Sequence, residues 1–243
     1  MICVSIVSHH YGKFILNLLP LVLDNPMVSK VLLTLNTPEE NIFPIHERLQ
    51  VIHNSSAKGF GENHNHAFKF CKSQFFCVLN PDVEWKESPF EKLIECLNDR
   101  QVAMVAPLIK NLDHLTEDSA RKFPTILSLL NRKLFDKKID YIYSDETPAF
   151  QPDWVAGMFM LIKSEIYAEL HGFDERYFMY CEDIDLCARL KFLNYNFLIV
   201  PQAYVIHDAR RASRRNLKYF VWHLASLIKF FLAIRRLKRN FHL

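Results

Sequence analysis

LQVIHNSSAKGFGENHNHAFKFCKSQFFCVLNPD, residues 49–82, is the stretch whose reading decides the fold. Leu49 to His53 and Phe75 to Leu79 are short apolar runs rich in β-formers, and each ends at Asn, the first at Asn54 and the second at Asn80-Pro81. Between them, apolar residues recur with helical period from His64 to Cys71. The pattern predicts strand, helix, strand. Working outward, Ile2 to Ser8 reads as a buried strand, and a helix follows on the spacing of Leu16, Leu19, Val22 and Leu23. Val31 to Leu35 is another strand, closed by Asn36-Thr37-Pro38. Strands alternating with helices imply an α/β fold, a parallel sheet with helices on its faces. With 243 residues, half of them hydrophobic, the chain has the size of one compact domain.

In such a sheet, ligands bind beyond the carboxyl ends of the strands. The residues leaving those ends are Ser8-His9-His10, Asn36, Asn54 to Gly61, and Asn80-Pro81-Asp82. The stretch from Asn111 to Ala149 is polar and irregular, either a mobile flap beside the strand ends or an ordinary loop region. Six cysteines form no C-x-x-C pair and no dense framework, which speaks against zinc ribbons and disulfide scaffolds and for thiols in a reducing compartment. The N-terminus lacks the charged region and long apolar run of a secretory signal, so the body of the chain is expected in the cytoplasm. Of the 30 Lys/Arg, ten lie between Arg210 and Arg239, where there is no Asp or Glu. The remainder carries 20 basic against 27 acidic residues, unlike a nucleic-acid binder with basic charge throughout.

Two segments carry carboxylates where chemistry needs them. Asp82 follows a buried strand, where a hard oxygen ligand suits Mg²⁺ or Mn²⁺ bridging a diphosphate, although Asn-Pro-Asp is also a common strand-ending turn. Glu182, Asp183 and Asp185 crowd the start of a predicted helix, a position its dipole favours. Asp183 heads the apolar stripe Leu186, Cys187, Leu190, whereas Asp185 can pair with Arg189 one turn on. A charged helix start with surface salt bridges is the alternative reading. His64 and His66 stand two apart on a helix and face different sides, which argues against a zinc pair.

Gly59-Phe60-Gly61 with Asn65, Asn80-Pro81-Asp82, Arg121-Lys122-Phe123-Pro124, Trp154 to Met160, Gly172-Phe173-Asp174 and Phe178 to Leu186 occur in one order, followed by His207 and Trp222-His223-Leu224. In that order they resemble a family 2 glycosyltransferase of the GT-A fold, most of all the rhamnosyltransferases of bacterial O-antigen and cell-wall polysaccharide assembly. The resemblance implies a Rossmann-like, mostly parallel central sheet. It implies a nucleotide-sugar half over residues 1–105 and an acceptor and catalytic half over 106–209. Asp82 would be the metal-binding carboxylate of a D-x-D-like motif whose first position is here Asn80, and His207 would complete the metal site, unless it is a buried histidine bonded to backbone. Asp183 would be the catalytic base of an inverting displacement, with Glu182 or Asp185 as alternatives for that role. Ser8, His9 and Asn36 would line the base and ribose pocket. Gly59, Phe60 and Gly61 would lie against the nucleotide, or else make a tight turn. Asn65 would contact the donor in place of a family Asn-Asn pair, Arg121 would meet a phosphate, and Gly157 would leave room for the sugar within a buried strand from Trp154 to Leu161. The implied reaction moves L-rhamnose from dTDP-L-rhamnose to a lipid-linked saccharide acceptor. A UDP-hexose donor, or a catalytically silent scaffold, are the other readings.

The tail, residues 210–243, is apolar from Tyr219 to Ile234 apart from His223, Ser226 and Lys229, with arginines and lysines on both flanks. It is short for a spanning helix, which needs roughly 20 apolar residues. As a basic amphipathic helix it would lie on an anionic membrane surface, at the cytoplasmic face of the bacterial inner membrane. Packing against the domain is the alternative.

Overall fold

The computed structural model describes residues 1–40, 42–125, 141–207 and 217–240. Its first half is the predicted alternation. β1 (Ile2–Ser8), α1 (Gly12–Leu23), β2 (Val28–Leu35), β3 (Leu49–His53), α2 (Phe60–Phe68) and β4 (Phe75–Leu79) build a parallel sheet in the order β3-β2-β1-β4. The second half adds β5 (Val83–Glu84), α3 (Phe90–Leu97), β6 (Val102–Lys110), β7 (Ala120–Arg121), β8 (Trp154–Val155) and β9 (Phe159–Lys163). α4 (Ser164–Glu169), α5 (Glu182–Phe192), β10 (Asn196–His207) and α6 (Leu217–Asn240) follow. The main sheet runs β3-β2-β1-β4-β9-β6-β10-β5; β9 is antiparallel to both neighbours, and β5 to β10. The sheet is therefore mostly parallel, as the sequence implied.

Its strands are apolar on both faces because helices cover both. Alternate residues go to opposite cores: Phe76 and Val78 of β4 pack with Ala67 of α2, Tyr167 of α4 and Leu186 of α5, while Phe75, Cys77 and Leu79 pack with Leu18 of α1 and Leu93 of α3. The helix phase of α1 differs from the expected one. Ile15, Leu18, Leu19, Val22 and Leu23 are buried, and Leu16 is turned outward at 38% exposure.

Three boundaries also differ. α2 starts at Phe60 rather than His64, because the chain arrives extended at Gly59 and the Phe60 N–H bonds the Phe178 carbonyl at 3.0 Å. The expected single strand from Trp154 to Leu161 is broken: a turn in which Met158 N–H bonds Ala156 O separates β8, paired with β7, from β9 in the main sheet. The strand read at Phe197 to Val200 continues to His207. Its register on β6 shifts between Val200 and Tyr204, an irregularity that accommodates Pro201, which has no N–H to give a ladder. Within Asn111–Ala149, residues 126–140 lie outside the described ones, as do Arg210, Arg211, Arg214 and Arg215 of the tail.

Candidate active site

At the ends of β1 and β2 the predicted pocket residues divide by what holds them. Ser8 is fully buried and donates to Glu39 at 2.8 Å, while its oxygen accepts from the Tyr11 N–H. His9 is exposed. The Asn36 amide is engaged in shaping the loop before α2: its oxygen accepts from Lys58 N–H and Asn54, and its nitrogen donates to Lys58 O. Asn63 closes the same network by donating to Gly59 O. Asn36 therefore fixes the path of residues 54–59, and only through that path the donor side of the site.

The glycines answer a packing demand rather than a turn. Neither Gly59 nor Gly61 has positive φ. A β-carbon on Gly59 would sit 2.7 Å from the Phe178 carbonyl oxygen, and one on Gly61 would sit 2.6 Å from the Phe173 β-carbon. Both glycines admit the 173–178 loop against α2. Asn65 locks that approach, donating to Phe173 O and Glu175 and accepting from Tyr167 and the Phe173 N–H. His64 is buried at 1% exposure against Ser5, and burial lowers its pKa to about 3, so it stays neutral.

Across the sheet, the turn after β4 meets the end of β10. His207 Nε2 lies 3.3 Å from Asp82 Oδ1, and its Nδ1 lies 3.0 Å from Glu117 Oε2. Burial opposes a charge on this imidazole, but the Asp82 and Glu117 carboxylates outweigh it and lift the pKa to about 9. Asp82 Oδ1 is buried and makes no hydrogen bond beyond its ion pair with His207 Nε2. A buried carboxylate oxygen facing an imidazole nitrogen fits a hard divalent cation taking the place of the imidazole proton, with Glu117 orienting the histidine from behind. Among the described residues no group of three ligands converges, so such an ion would need further oxygens from a diphosphate or water. Sequence reading missed Glu117 and Glu39: both lie in irregular segments without periodicity, and only the folded pairing brings them to the site.

The carboxylate cluster sorts into three environments. Asp185, 2% exposed, is bridged to Arg189 at 2.7 Å, and Arg189 also caps Leu170 O and Gly172 O. It anchors the turn before the loop. Asp183 remains partly exposed and accepts from Ile184 N–H at 2.8 Å and from Gly157 N–H at 3.1 Å. Glu182 is 6% exposed, and its Oε2 has no hydrogen-bond partner. Burial, then the charge of Asp183, pushes the Glu182 pKa up to about 8. Burial also raises Asp183, but two backbone N–H groups and the positive charge of Arg121 favour its ionised form. Burial thus raises both carboxyls, but in unequal surroundings: Asp183 has two N–H groups and a nearby positive charge acting the other way, and Glu182 Oε2 has no partner.

The backbone entering α5 is strained. Tyr180 and Cys181 both have positive φ (71° and 68°), which costs on the order of 1 kcal/mol or more each in a non-glycine residue. The gap beside Asp183 is small: a β-carbon on Gly157 would lie 3.4 Å from the Phe60 ring and 3.7 Å from the Asp183 β-carbon. Asn80 N–H bonds Met158 O, next to Gly157, so the turn carrying Asp82 and the loop carrying Asp183's anchor are tied directly. Arg121 bridges to Asp118 at 3.0 Å and lies over the Trp154 ring. The structure brings Asp82 to His207 and Asp183 to Gly157, and the Asn80–Met158 bond joins those two groups, whereas Asn36, Asn65 and Asp185 are taken up in holding loops and turns.

A family profile described as glycosyltransferase-like family 2 matches residues 30–240. The chain belongs to that family. It is 33% identical over 199 residues to the rhamnosyltransferase WbbL of Escherichia coli, covering 75% of this chain and 73% of that protein. It is 30% identical over 148 residues to the N-acetylglucosaminyl-diphospho-decaprenol L-rhamnosyltransferase of Mycobacterium tuberculosis, covering 57% of this chain and 48% of that protein. In fold it is similar to GalNAc-T7, crystallised with UDP, GalNAc and Mn²⁺, at a TM-score of 0.64 with 16% identity, over 86% of this chain and 44% of that one. It is also similar to the mannosyltransferase PcManGT of Pyrobaculum calidifontis, in complex with GDP-Man and Mn²⁺, at 0.59 with 14% identity, over 94% and 64%. The mostly parallel sheet flanked by helices is the GT-A fold, and the protein is a glycosyltransferase.

Proposed function

We propose that this glycosyltransferase moves L-rhamnose from dTDP-L-rhamnose to a hydroxyl of a polyprenyl-diphosphate-linked sugar, inverting the anomeric carbon, as a step of O-antigen or related surface polysaccharide synthesis. The two rhamnosyltransferase relatives support the sugar, and the name of the mycobacterial one supports a lipid-diphosphate acceptor. The donor occupies the 1–105 half at the ends of β1 and β2, beside exposed His9, the loop set by Asn36 and the half-buried Phe60; buried Ser8, Gly59 and Gly61 support that floor, and Asn65 holds it in place. The acceptor enters from the 106–209 half, beside Arg121 and Gly157. Residues 210–243 attach the protein peripherally to the cytoplasmic face of the inner membrane.

The observation that carries the reading is the unequal setting of Asp183 and Glu182 at the head of α5. Asp183 has both oxygens held by N–H groups, from Gly157 and Ile184, and Gly157 lies between it and the Phe60 ring, while Glu182 Oε2 has no partner and its pKa is pushed up to about 8. A carboxylate whose proton affinity is raised by burial is a better base, so Asp183 takes the proton of the acceptor hydroxyl as that oxygen attacks. With its proton affinity raised, Glu182 puts less negative charge beside the nucleophile. Asp82 and His207 would hold Mg²⁺ or Mn²⁺, and the bound cation would supply charge neutralisation at the departing diphosphate. Asp183→Asn should lower transfer by at least about 100-fold while donor binding, followed by calorimetry, persists. Transfer at the wild-type rate in that variant overturns the assignment.

A further inference from the structure

The two faces of α6 differ in what they meet. Its inner face grips the loop that leads into α5. Ser226 donates to Met179 O at 2.8 Å, and Lys229 donates to Arg176 O at 2.6 Å. Trp222 packs on Phe178 with centroids 4.7 Å apart, and His223 stacks on Tyr180 at 5.1 Å. The gripped loop is the one whose Phe178 carbonyl receives the Phe60 N–H and whose left-handed Tyr180 and Cys181 set Glu182 and Asp183 at the head of α5. Those two residues persist in an unfavourable backbone conformation only where surrounding contacts determine it, and α6 supplies several of those contacts.

The outer face has no such partner among the described residues. Val221, Leu224, Ile228 and Leu232 recur at spacings of three, four and four, one stripe along the helix, and are 55, 50, 55 and 51% exposed. The chain from Arg210 to Arg239 that contains this stripe carries ten Lys/Arg and no Asp/Glu. Two copies of so basic a segment repel each other across a shared face. A surface offering an apolar layer beneath negative headgroups matches both features. Among the described residues no helix is long and apolar enough to cross a membrane, so the stripe fits a surface rather than a span.

We infer that α6 is an interfacial clamp: its Val221-Leu224-Ile228-Leu232 face seats on an anionic lipid surface, and its Trp222-Ser226 face holds the Arg176–Cys181 loop, so surface binding and ordering of the Asp183 site occur together. This deepens the proposed function, resting on its peripheral membrane attachment of residues 210–243 and on taking that loop as part of the reaction centre. Seating the outer face restrains the helix, and the restrained helix limits excursions of the loop.

Two readouts that need no sugar donor test the inference on the full chain: flotation with phosphatidylcholine vesicles with and without phosphatidylglycerol, and amide hydrogen exchange over residues 176–185. The wild type should float with the anionic vesicles, less so at high salt, and exchange in that segment should slow severalfold. Leu224→Glu/Ile228→Glu, placed on exposed side chains, should keep its melting temperature, lose vesicle partitioning by more than about tenfold, and show no vesicle-dependent slowing. Equal partitioning of the variant, equal binding to neutral vesicles, a dimer that this variant dissolves, or vesicle binding with unchanged exchange at 176–185 each overturns it. A wrong donor or acceptor leaves these results untouched, so failure of the clamp and failure of the proposed reaction are separable.

Discussion

Replacing Glu182 with Gln should stabilise the protein, and do so only above acidic pH. Glu182 is 6% exposed, has an unpartnered Oε2 and keeps its proton to about pH 8 rather than the usual 4.5. A carboxyl whose folded pKa is raised contributes stability that is fully present below its unfolded pKa and is lost as pH rises through the folded value. The wild type should therefore weaken between about pH 4.5 and 8 because of this group. Each pH unit of that window corresponds to about 1.36 kcal/mol, and because the charge is shared with Asp183 the total is on the order of a few kcal/mol. For a chain of this size, 1 kcal/mol moves the melting temperature by about 2–4 °C. Thermal unfolding of wild type and Glu182→Gln, scanned from pH 4 to 9, should give curves that meet at the acid end and diverge by roughly 5 °C or more at pH 8, with the variant higher. Parallel curves, or a wild type that is the more stable at pH 8, would refute a Glu182 carboxyl whose proton affinity is raised by burial.

Other variants separate positioning from chemistry. Arg189→Leu leaves Asp185 buried without its cation and should cost about 3–5 kcal/mol, read as a lower midpoint in urea. Gly59→Ala drives a β-carbon to 2.7 Å from the Phe178 carbonyl and should cost about 1–3 kcal/mol, whereas Gly157→Ala meets nothing closer than 3.4 Å and should melt close to wild type while slowing transfer, because it narrows the gap between Phe60 and Asp183. Unequal melting with unequal activity in that pattern is the check. Glu117→Gln should weaken Mn²⁺ binding about 10-fold or more in the presence of a nucleoside diphosphate, measured by electron paramagnetic resonance, since it removes the charge behind His207; unchanged affinity would remove Glu117 from the site.

What the sequence made legible followed from periodicity and chain order. The runs from Ile2, Val31 and Phe75 became β1, β2 and β4 because a strand buried on both faces is apolar nearly throughout, and the run from Leu49 became the half-exposed edge strand β3. Asp185 and Arg189 were readable as a pair because helix geometry fixes residues four apart. The split of Trp154 to Leu161 was not readable: those residues are nearly all apolar whether they lie in one strand or in two joined by a turn. The saturated amides of Asn36 and Asn65 were equally hidden, since each is satisfied by backbone groups that only the folded chain brings within reach, Phe173 being 108 positions from Asn65. Glu117 sits 90 positions from His207 in a segment with no pattern of its own. Nor could the tail's two readings be separated by pattern, because one face of α6 packs on the domain and the other is apolar and exposed.

The central claim is that Asp183 drives sugar transfer from a nucleotide donor at this site. Its most direct test is consumption of dTDP-L-rhamnose, beside UDP-hexoses, with a synthetic polyprenyl-diphosphate sugar acceptor and Mg²⁺ or Mn²⁺, by wild type, Asp82→Ala and Asp183→Asn. The account predicts acceptor-dependent release of dTDP from the rhamnose donor by wild type, lost in both variants while Asp183→Asn still binds the donor. Undiminished release in Asp183→Asn, or binding of the donor with no transfer by wild type, would contradict it.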